Sequence, residues 1–436
     1  MTLSRRDMLK TVGAGLLVGP RTGLDTFGSA AESTLGSSTG SGLVSSAPGA
    51  AAPDFAAVRR DFPRAERKLW LAAAESHPFS VHAIRIMEEY SQQRALSTGG
   101  RQHDFGADAQ AETKQLFGDL INATPNEVAF ALSTTDGENV VVAGMDLASR
   151  GGNVVLDDLH FTASRYLYEA LERDFGVEVR LVRHKDWTID PADMARAIDD
   201  NTRLVSVALT NNINGFLHDM RPISDAAHAH GAYVYADIIQ TAGCTPIDVK
   251  AMGIDAAACT AYKWLMGDFG FAFLYVREDL QGTVIRPTRY GLRQVRQTPQ
   301  GFEPREGAAM YEGTSSLSSV GGLVAREGLR YVTELGVDNI RAHAKRLTDR
   351  LHKEMPALGF PALTRKDNPT PIVSFHTPDQ EAVDAKLQRA FGEKVVSSRR
   401  WQITEGGETK TVAGLRIGVS VYNNDDDLDA FLNALS

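Results

Sequence analysis

Between residues 126 and 276, short apolar runs recur at 126–132, 153–158, 178–184, 203–210, 233–238, 256–261 and 270–276. Helical periodicity fills several of the gaps, as at 162–174 and 223–230. Runs of this length, alternating with amphipathic stretches, predict strands and helices in turn. That order implies a mostly parallel sheet with helices on both faces. After residue 300 the pattern changes. Residues 316–335 and 337–355 predict long helices, 371–376 and 413–421 predict strands, and 425–436 predict a closing helix. The expected organisation is a large α/β domain over 53–300 and a small α+β domain over 301–436, joined through the loop-rich stretch 285–312.

The first residues carry a different signal. Ser4-Arg5-Arg6-Asp7-Met8-Leu9-Lys10 precedes a short, glycine-bearing apolar stretch, and small residues follow at Ser29-Ala30-Ala31. This fits a twin-arginine signal peptide over 1–31, leading to a periplasmic or secreted location. The apolar stretch is shorter than the ~20 residues a membrane span needs. Residues 32–52 are rich in Ser, Gly and Ala and read as a flexible linker.

Composition narrows the partners. The chain has 436 residues and a formal net charge of -9, and removing 1–31 would take it to -11. An acidic chain without a basic, aromatic-studded patch is a poor nucleic-acid binder. Two cysteines, Cys244 and Cys259, both in apolar segments, build no disulfide framework.

In open α/β sheets, ligands sit at the carboxyl ends of strands, so the polar residues there are the candidates for chemistry. Ser133, Thr134 and Thr135 follow one strand and open a helix, whose free N–H groups suit a phosphate. His160 and Phe161 follow the next and could stack on a flat ring, and Thr210-Asn211-Asn212 follows another. Asp237 ends a fifth run, and Lys263 follows a sixth in Thr260-Ala261-Tyr262-Lys263. Singly, each has a plain structural reading: a helix cap, a packing contact, a turn, a solvated charge. Together they match pyridoxal phosphate. A lysine amine holds its aldehyde as a Schiff base, and an acid keeps its ring nitrogen protonated. Twin-arginine export carries folded proteins, which suits an enzyme loaded with its cofactor before export.

The stretch 233–276 resembles the class V aminotransferase family of fold-type I pyridoxal phosphate enzymes, through Val-Tyr-Ala-Asp-Ile-Ile-Gln-Thr-Ala-Gly, Ile-Asp-Val and Thr-Ala-Tyr-Lys-Trp-Leu-Met-Gly. Cysteine desulfurases, selenocysteine lyases and isopenicillin N epimerases are among its members, and the resemblance spans residues 65–435. It implies a seven-stranded, mostly parallel sheet plus a small C-terminal domain. It makes Lys263 the Schiff-base lysine and Asp237 the partner of the ring nitrogen. Gln240 and Asn212 would contact the ring hydroxyl, and Thr135, Thr260 and Tyr262 the phosphate. Thr314 would reach the phosphate of a neighbouring subunit, implying a homodimer, and Arg416 would bind the substrate carboxylate.

Two departures shape the expected reaction. Tyr262 stands where desulfurases have His, and Phe161 is the expected ring-stacking residue, with His160 the alternative. Desulfurases carry a persulfide cysteine in the loop before the arginine, whereas residues 395–414 hold none. Arg399 and Arg400 lie in that stretch and read as solvated loop charges rather than as readers of a second acidic group. The expectation is an exported enzyme acting on an amino acid through an external aldimine and α-proton removal, as a lyase or epimerase. An aminotransferase is the first alternative, and a catalytically inactive exported binding protein the second.

Overall fold

A computed structural model describes residues 53–96, 105–405 and 408–436 of the chain. The expected signal peptide and linker, 1–52, lie outside the described residues. All seven predicted strands form: β1 (Val128–Ala131), β2 (Asn153–Asp157), β3 (Glu178–Val182), β4 (Thr202–Ala208), β5 (Tyr233–Asp237), β6 (Ala256–Thr260) and β7 (Ala272–Val276). They make one sheet in the order β1-β7-β6-β5-β4-β2-β3. Only β7 runs antiparallel to its neighbours β6 and β1, so the sheet is mostly parallel, as expected. Every residue of β2, β6 and β7 is buried, which is why these strands read as unbroken apolar runs rather than alternating ones. At one edge, β3 exposes Glu178, a charge that discourages pairing with another chain.

The alanines of β6 have a positional consequence. A Cβ added at Gly137, in helix Thr134–Gly144, would lie 2.7 Å from the Ala258 Cβ. Small residues on both sides let this helix press onto the sheet and bring its N-terminus to the end of β6. The fold thereby sets a helix N-terminus beside the Lys263 turn.

A short hairpin, β8 (Val295–Thr298) and β9 (Gly301–Pro304), occupies the loop-rich stretch. Helix Ser319–Leu335 follows and gives Leu323, Val324 and Leu329 to the main core beneath the large sheet. The last third contains a three-stranded antiparallel sheet of β10 (Ile372–His376), β11 (Ser397–Glu405) and β12 (Glu408–Gly418), with β12 in the middle. Strand β11 corrects the expectation of a loop over 395–414. Its sequence is mostly polar, so no apolar run announced it, and it is held by a full ladder to β12 from Ser397↔Arg416 to Glu405↔Glu408.

The segment from Leu71 to His77 joins the two sheets. Leu71 N–H donates to the Val395 carbonyl at 2.7 Å, and Gly418 N–H to the Leu71 carbonyl at 2.8 Å. His77 N–H donates to the Tyr262 carbonyl at 3.0 Å. Residues 72–76 are thus strung between the end of β12 and the Lys263 turn.

Candidate active site

At the carboxyl end of the large sheet lies a cavity of about 200 Å³. Ser133, Thr134, Thr135, Phe161, Asn212, Asp237, Gln240, Thr260, Tyr262 and Lys263 are among the residues that line it. Nearly every strand-end candidate converges there. Thr314 and Arg416 are not part of that lining.

The helix start is fixed by side chains. Ser133 caps it, its Oγ accepting from Asp136 N–H at 3.0 Å. Thr134 N–H donates to Thr260 Oγ1 at 2.7 Å, and Thr260 N–H donates to Thr134 Oγ1 at 3.0 Å. Thr135 comes next on the cavity wall, with the N–H groups of a first helical turn and the dipole favouring an anion beside it. Tyr262 stacks on Phe269 with centroids 4.1 Å apart, and burial raises its hydroxyl pKa.

His160 and Phe161 part company. Phe161 N–H donates to His160 Nδ1 at 2.7 Å, and His160 Nε2 lies 3.0 Å from Ser206 Oγ, beneath the sheet surface. Burial lowers His160 to about 4, so the ring is neutral. Phe161 lines the cavity, where a flat ring would find it.

Asp237 and Lys263 stand on adjacent strand ends, both buried, and form no ion pair with each other among the described residues. Burial raises the Asp237 carboxyl to about 6, opposed by the Ile239 N–H it accepts at 3.0 Å and by the charge of Lys263. Burial lowers Lys263 to about 8, helped by Arg416 and opposed by Asp237. Two ionisable groups with pKa values drawn toward neutrality across one cavity mark a site built for chemistry. Gln240 is firmly placed: its Nε2 donates to the Ala74 carbonyl at 3.0 Å, and its Oε1 accepts from the Trp264 indole at 2.9 Å.

Arg416 arrives from β12, almost fully buried. Its Nη1 donates to the Asn212 carbonyl at 2.7 Å, Nη2 lies 3.4 Å from Ser397 Oγ, and Nε is buried with no partner among the described residues. Burial, with Arg399 nearby, lowers it to about 10. A buried guanidinium with an unused donor fits a carboxylate ligand.

Thr314 sits on a loop away from this cavity, its Oγ1 donating to the Ser316 carbonyl at 3.1 Å. Sequence reasoning missed Glu75. Its carboxylate accepts from Lys394 Nζ at 2.6 Å, Ser397 Oγ at 3.0 Å and Arg399 Nη2 at 2.6 Å. Nothing in the local sequence of Glu75 marks it, since its partners lie more than 300 residues away. Arg399 therefore lies on a strand and pairs with Glu75 rather than sitting on a loop as expected, while its side chain stays 41% exposed.

The donor set suits pyridoxal phosphate: an amine, an acid opposite it, a helix-borne anion seat and a ring-covering phenyl on one small cavity. Among proteins similar to this chain is a probable cysteine desulfurase of Methanothermobacter thermautotrophicus, 29% identical over 75% of this chain and 82% of its own. An uncharacterized aminotransferase, YcbU, of Bacillus subtilis is 28% identical over 66% of this chain and 75% of its own. Among solved structures, the apo cysteine desulfurase of Thermococcus onnurineus superposes with a TM-score of 0.75 at 20% identity, covering 86% of this chain and 96% of that one. The cystine C–S lyase C-DES, solved with its product cysteine persulfide, gives 0.74 at 20% identity, covering 86% and 98%. These likenesses carry the fold. The aminotransferase class-V profile matches residues 70–431, and on that match the chain belongs to the class V aminotransferase family and is a pyridoxal-phosphate enzyme.

Proposed function

We propose that the protein is an amino-acid lyase that labilises the substrate α-proton and expels a leaving group without forming a persulfide on the enzyme. The observation that carries this is that Lys263 and Asp237, on adjacent strand ends, line one cavity near a buried Arg416, in a chain whose two cysteines are buried. Burial raises the pKa of both Cys244 and Cys259, so neither offers a ready thiolate. The names of the relatives, desulfurases and a C–S lyase among them, support the lyase branch.

In this reading Lys263 would hold the cofactor aldehyde and Asp237 the ring N–H. Phe161 would cover the ring, Asn212 and Gln240 would approach its hydroxyl, and Thr135, Thr260 and Tyr262 would hold the phosphate. When bound, pyridoxal phosphate supplies an electron-accepting ring conjugated to the substrate amine. Arg416 fixes the substrate carboxylate and so orients the Cα–H bond toward Lys263. In the cofactor-free cavity burial lowers the Lys263 amine to about 8, which favours the neutral form that can take that proton. Asp237, ionised above about 6, keeps a negative charge where the ring nitrogen needs one.

The test is product analysis on an amino-acid panel in heavy water. Elimination releases the leaving group, and hydrolysis of the remainder gives a keto acid and ammonia. Racemisation gives the D-isomer with deuterium at Cα, and transamination gives a keto acid without free ammonia. Absence of elimination products with every substrate would reject the lyase reading. Absence of deuterium exchange as well would point to a binding protein.

We also propose a homodimer. Leu132, Phe269, Tyr290 and Leu292 are exposed. Leu132 adjoins the Ser133 cap, Phe269 stacks on Tyr262, and Gly291 packs against Thr314, so these apolar side chains flank the cavity and the Thr314 loop. Exposed apolar surface of this kind supports a partner subunit there. Export through the twin-arginine route, with the domain limits 53–300 and 301–436, completes the proposal. No helix among the described residues is long and apolar enough to cross a membrane.

A further inference from the structure

Arg399 and Arg400 are neighbours on β11 and therefore project to opposite faces of the small sheet. The register assigns them. Ser397 lies directly across from Arg416, and Arg399, two residues on, lies across from Gly414. Arg399 thus shares the face of the buried Arg416. Arg400 turns to helix Gln380–Phe391, its Nε donating to Gln380 Oε1 at 3.1 Å and its Nη2 lying 3.8 Å from Glu381.

On the Arg416 face the contacts form a chain. Arg416 Nη2 lies 3.4 Å from Ser397 Oγ, Ser397 Oγ donates to Glu75 Oε2 at 3.0 Å, and Arg399 Nη2 donates to Glu75 Oε1 at 2.6 Å. Glu75 is held in that place by its backbone, between the anchors at β12 and at the Tyr262 carbonyl. Lys394 completes the group at 2.6 Å from Glu75. Two cations, Lys394 and Arg399, thus share the Glu75 carboxylate, and a third, Arg416, reaches it through the Ser397 hydroxyl. An amino-acid carboxylate on Arg416 still leaves one positive charge unmatched. After burial and Arg416, Arg399 is among the charges that lower the Lys263 pKa, so its guanidinium is within electrostatic reach of the reactive amine.

We infer that Arg399 selects amino acids with an anionic side chain, such as a second carboxylate, which takes the place of Glu75 on its guanidinium. The exchange leaves no stranded charge, because Glu75 keeps Lys394 and Ser397 through its other oxygen. A planar guanidinium engaged by one hydrogen bond among the described residues has further donors for a bidentate carboxylate. This inference rests on the proposed reading of the site as an amino-acid enzyme.

The test uses the cofactor-loaded protein. Dissociation constants for L-aspartate, L-glutamate, L-asparagine, L-glutamine and L-lysine are measured by calorimetry and by the change in the cofactor's visible absorbance. The expected result is tenfold or tighter binding of each acid over its own amide. Arg399→Gln should erase that ratio, Arg399→Lys should keep part of it, and Arg400→Gln should leave it unchanged. Melting curves confirm that each variant is folded, and Arg399→Lys keeps the test decisive if Arg399→Gln is not. Equal binding of acid and amide, a preference for lysine, or a preference for acids that survives Arg399→Gln would overturn the inference while leaving the amino-acid reading intact. Failure of every amino acid to bind would overturn both.

Discussion

Thr134 and Thr260 exchange two hydrogen bonds, each backbone N–H donating to the other residue's hydroxyl, at 2.7 and 3.0 Å. This reciprocal pair stitches the first turn of helix Thr134–Gly144 to the end of β6, one turn before Lys263. Thr260→Val keeps the shape but leaves the buried Thr134 N–H without its acceptor. The expected loss of stability is about 1–3 kcal/mol, seen in denaturant unfolding of the cofactor-free protein. Affinity for pyridoxal phosphate should fall with it, because the anion seat loosens. Unchanged unfolding would show that the stitch contributes nothing.

Lys263 makes stability depend on pH in a defined direction. Its folded pKa of about 8 lies below its ordinary value of 10.5. Between those values the unfolded chain binds the extra proton, so stability of the cofactor-free protein rises with pH across that window. Below about pH 8 the cost of the buried charge is full, of the order of 3 kcal/mol. Lys263→Met should therefore stabilise the cofactor-free protein at pH 7, with the gain fading toward pH 10.5. Unfolding midpoints of both proteins at pH 7 and pH 10 read this directly. An equal difference at both pH values would contradict it.

Arg416→Lys keeps a positive charge but loses the fork that can grip a carboxylate. The expected result is a rise in KM for amino-acid substrates of about 10–100-fold. Cofactor affinity should change little, since Arg416 lies outside the cavity lining. Steady-state kinetics and a cofactor titration on the same preparation separate the two. A change in cofactor affinity as large as the change in KM would show that Arg416 supports the cofactor instead.

For export, replacing Arg5 and Arg6 together by Lys should retain the protein inside the cell, read by fractionation of cells expressing the full chain. Unaltered distribution between compartments would reject the twin-arginine proposal.

The large sheet was legible because most of its strands, β1, β2, β6 and β7 throughout, are buried on both faces, which leaves unbroken apolar runs ending on polar residues. Strand ends alone pointed to Ser133–Thr135, to His160 or Phe161, to the turn at 210–212, to Asp237 and to Lys263, while the family resemblance singled out Asn212, Gln240, Thr260 and Tyr262. Strand β11 was not legible. Its inner face begins with Ser397 and Arg399, which serve polar contacts, so the alternation that betrays a half-buried strand is left to Trp401 and Ile403 alone. Glu75 was hidden for a different reason. Its neighbours Ala72, Ala73 and Ala74 form no strand of their own, and the chain there is placed by distant partners, Ala73 N–H donating to the Gly418 carbonyl and the Ala74 carbonyl accepting from Gln240.

The central claim is that Lys263 holds the cofactor. The most direct measurement is borohydride reduction of the pyridoxal-phosphate-loaded protein, followed by peptide mapping by mass spectrometry. The phosphopyridoxyl mass is expected on the peptide containing Lys263, with loss of the visible absorbance band, and neither in Lys263→Ala. Stoichiometric labelling of another lysine, or full labelling in Lys263→Ala, would contradict it.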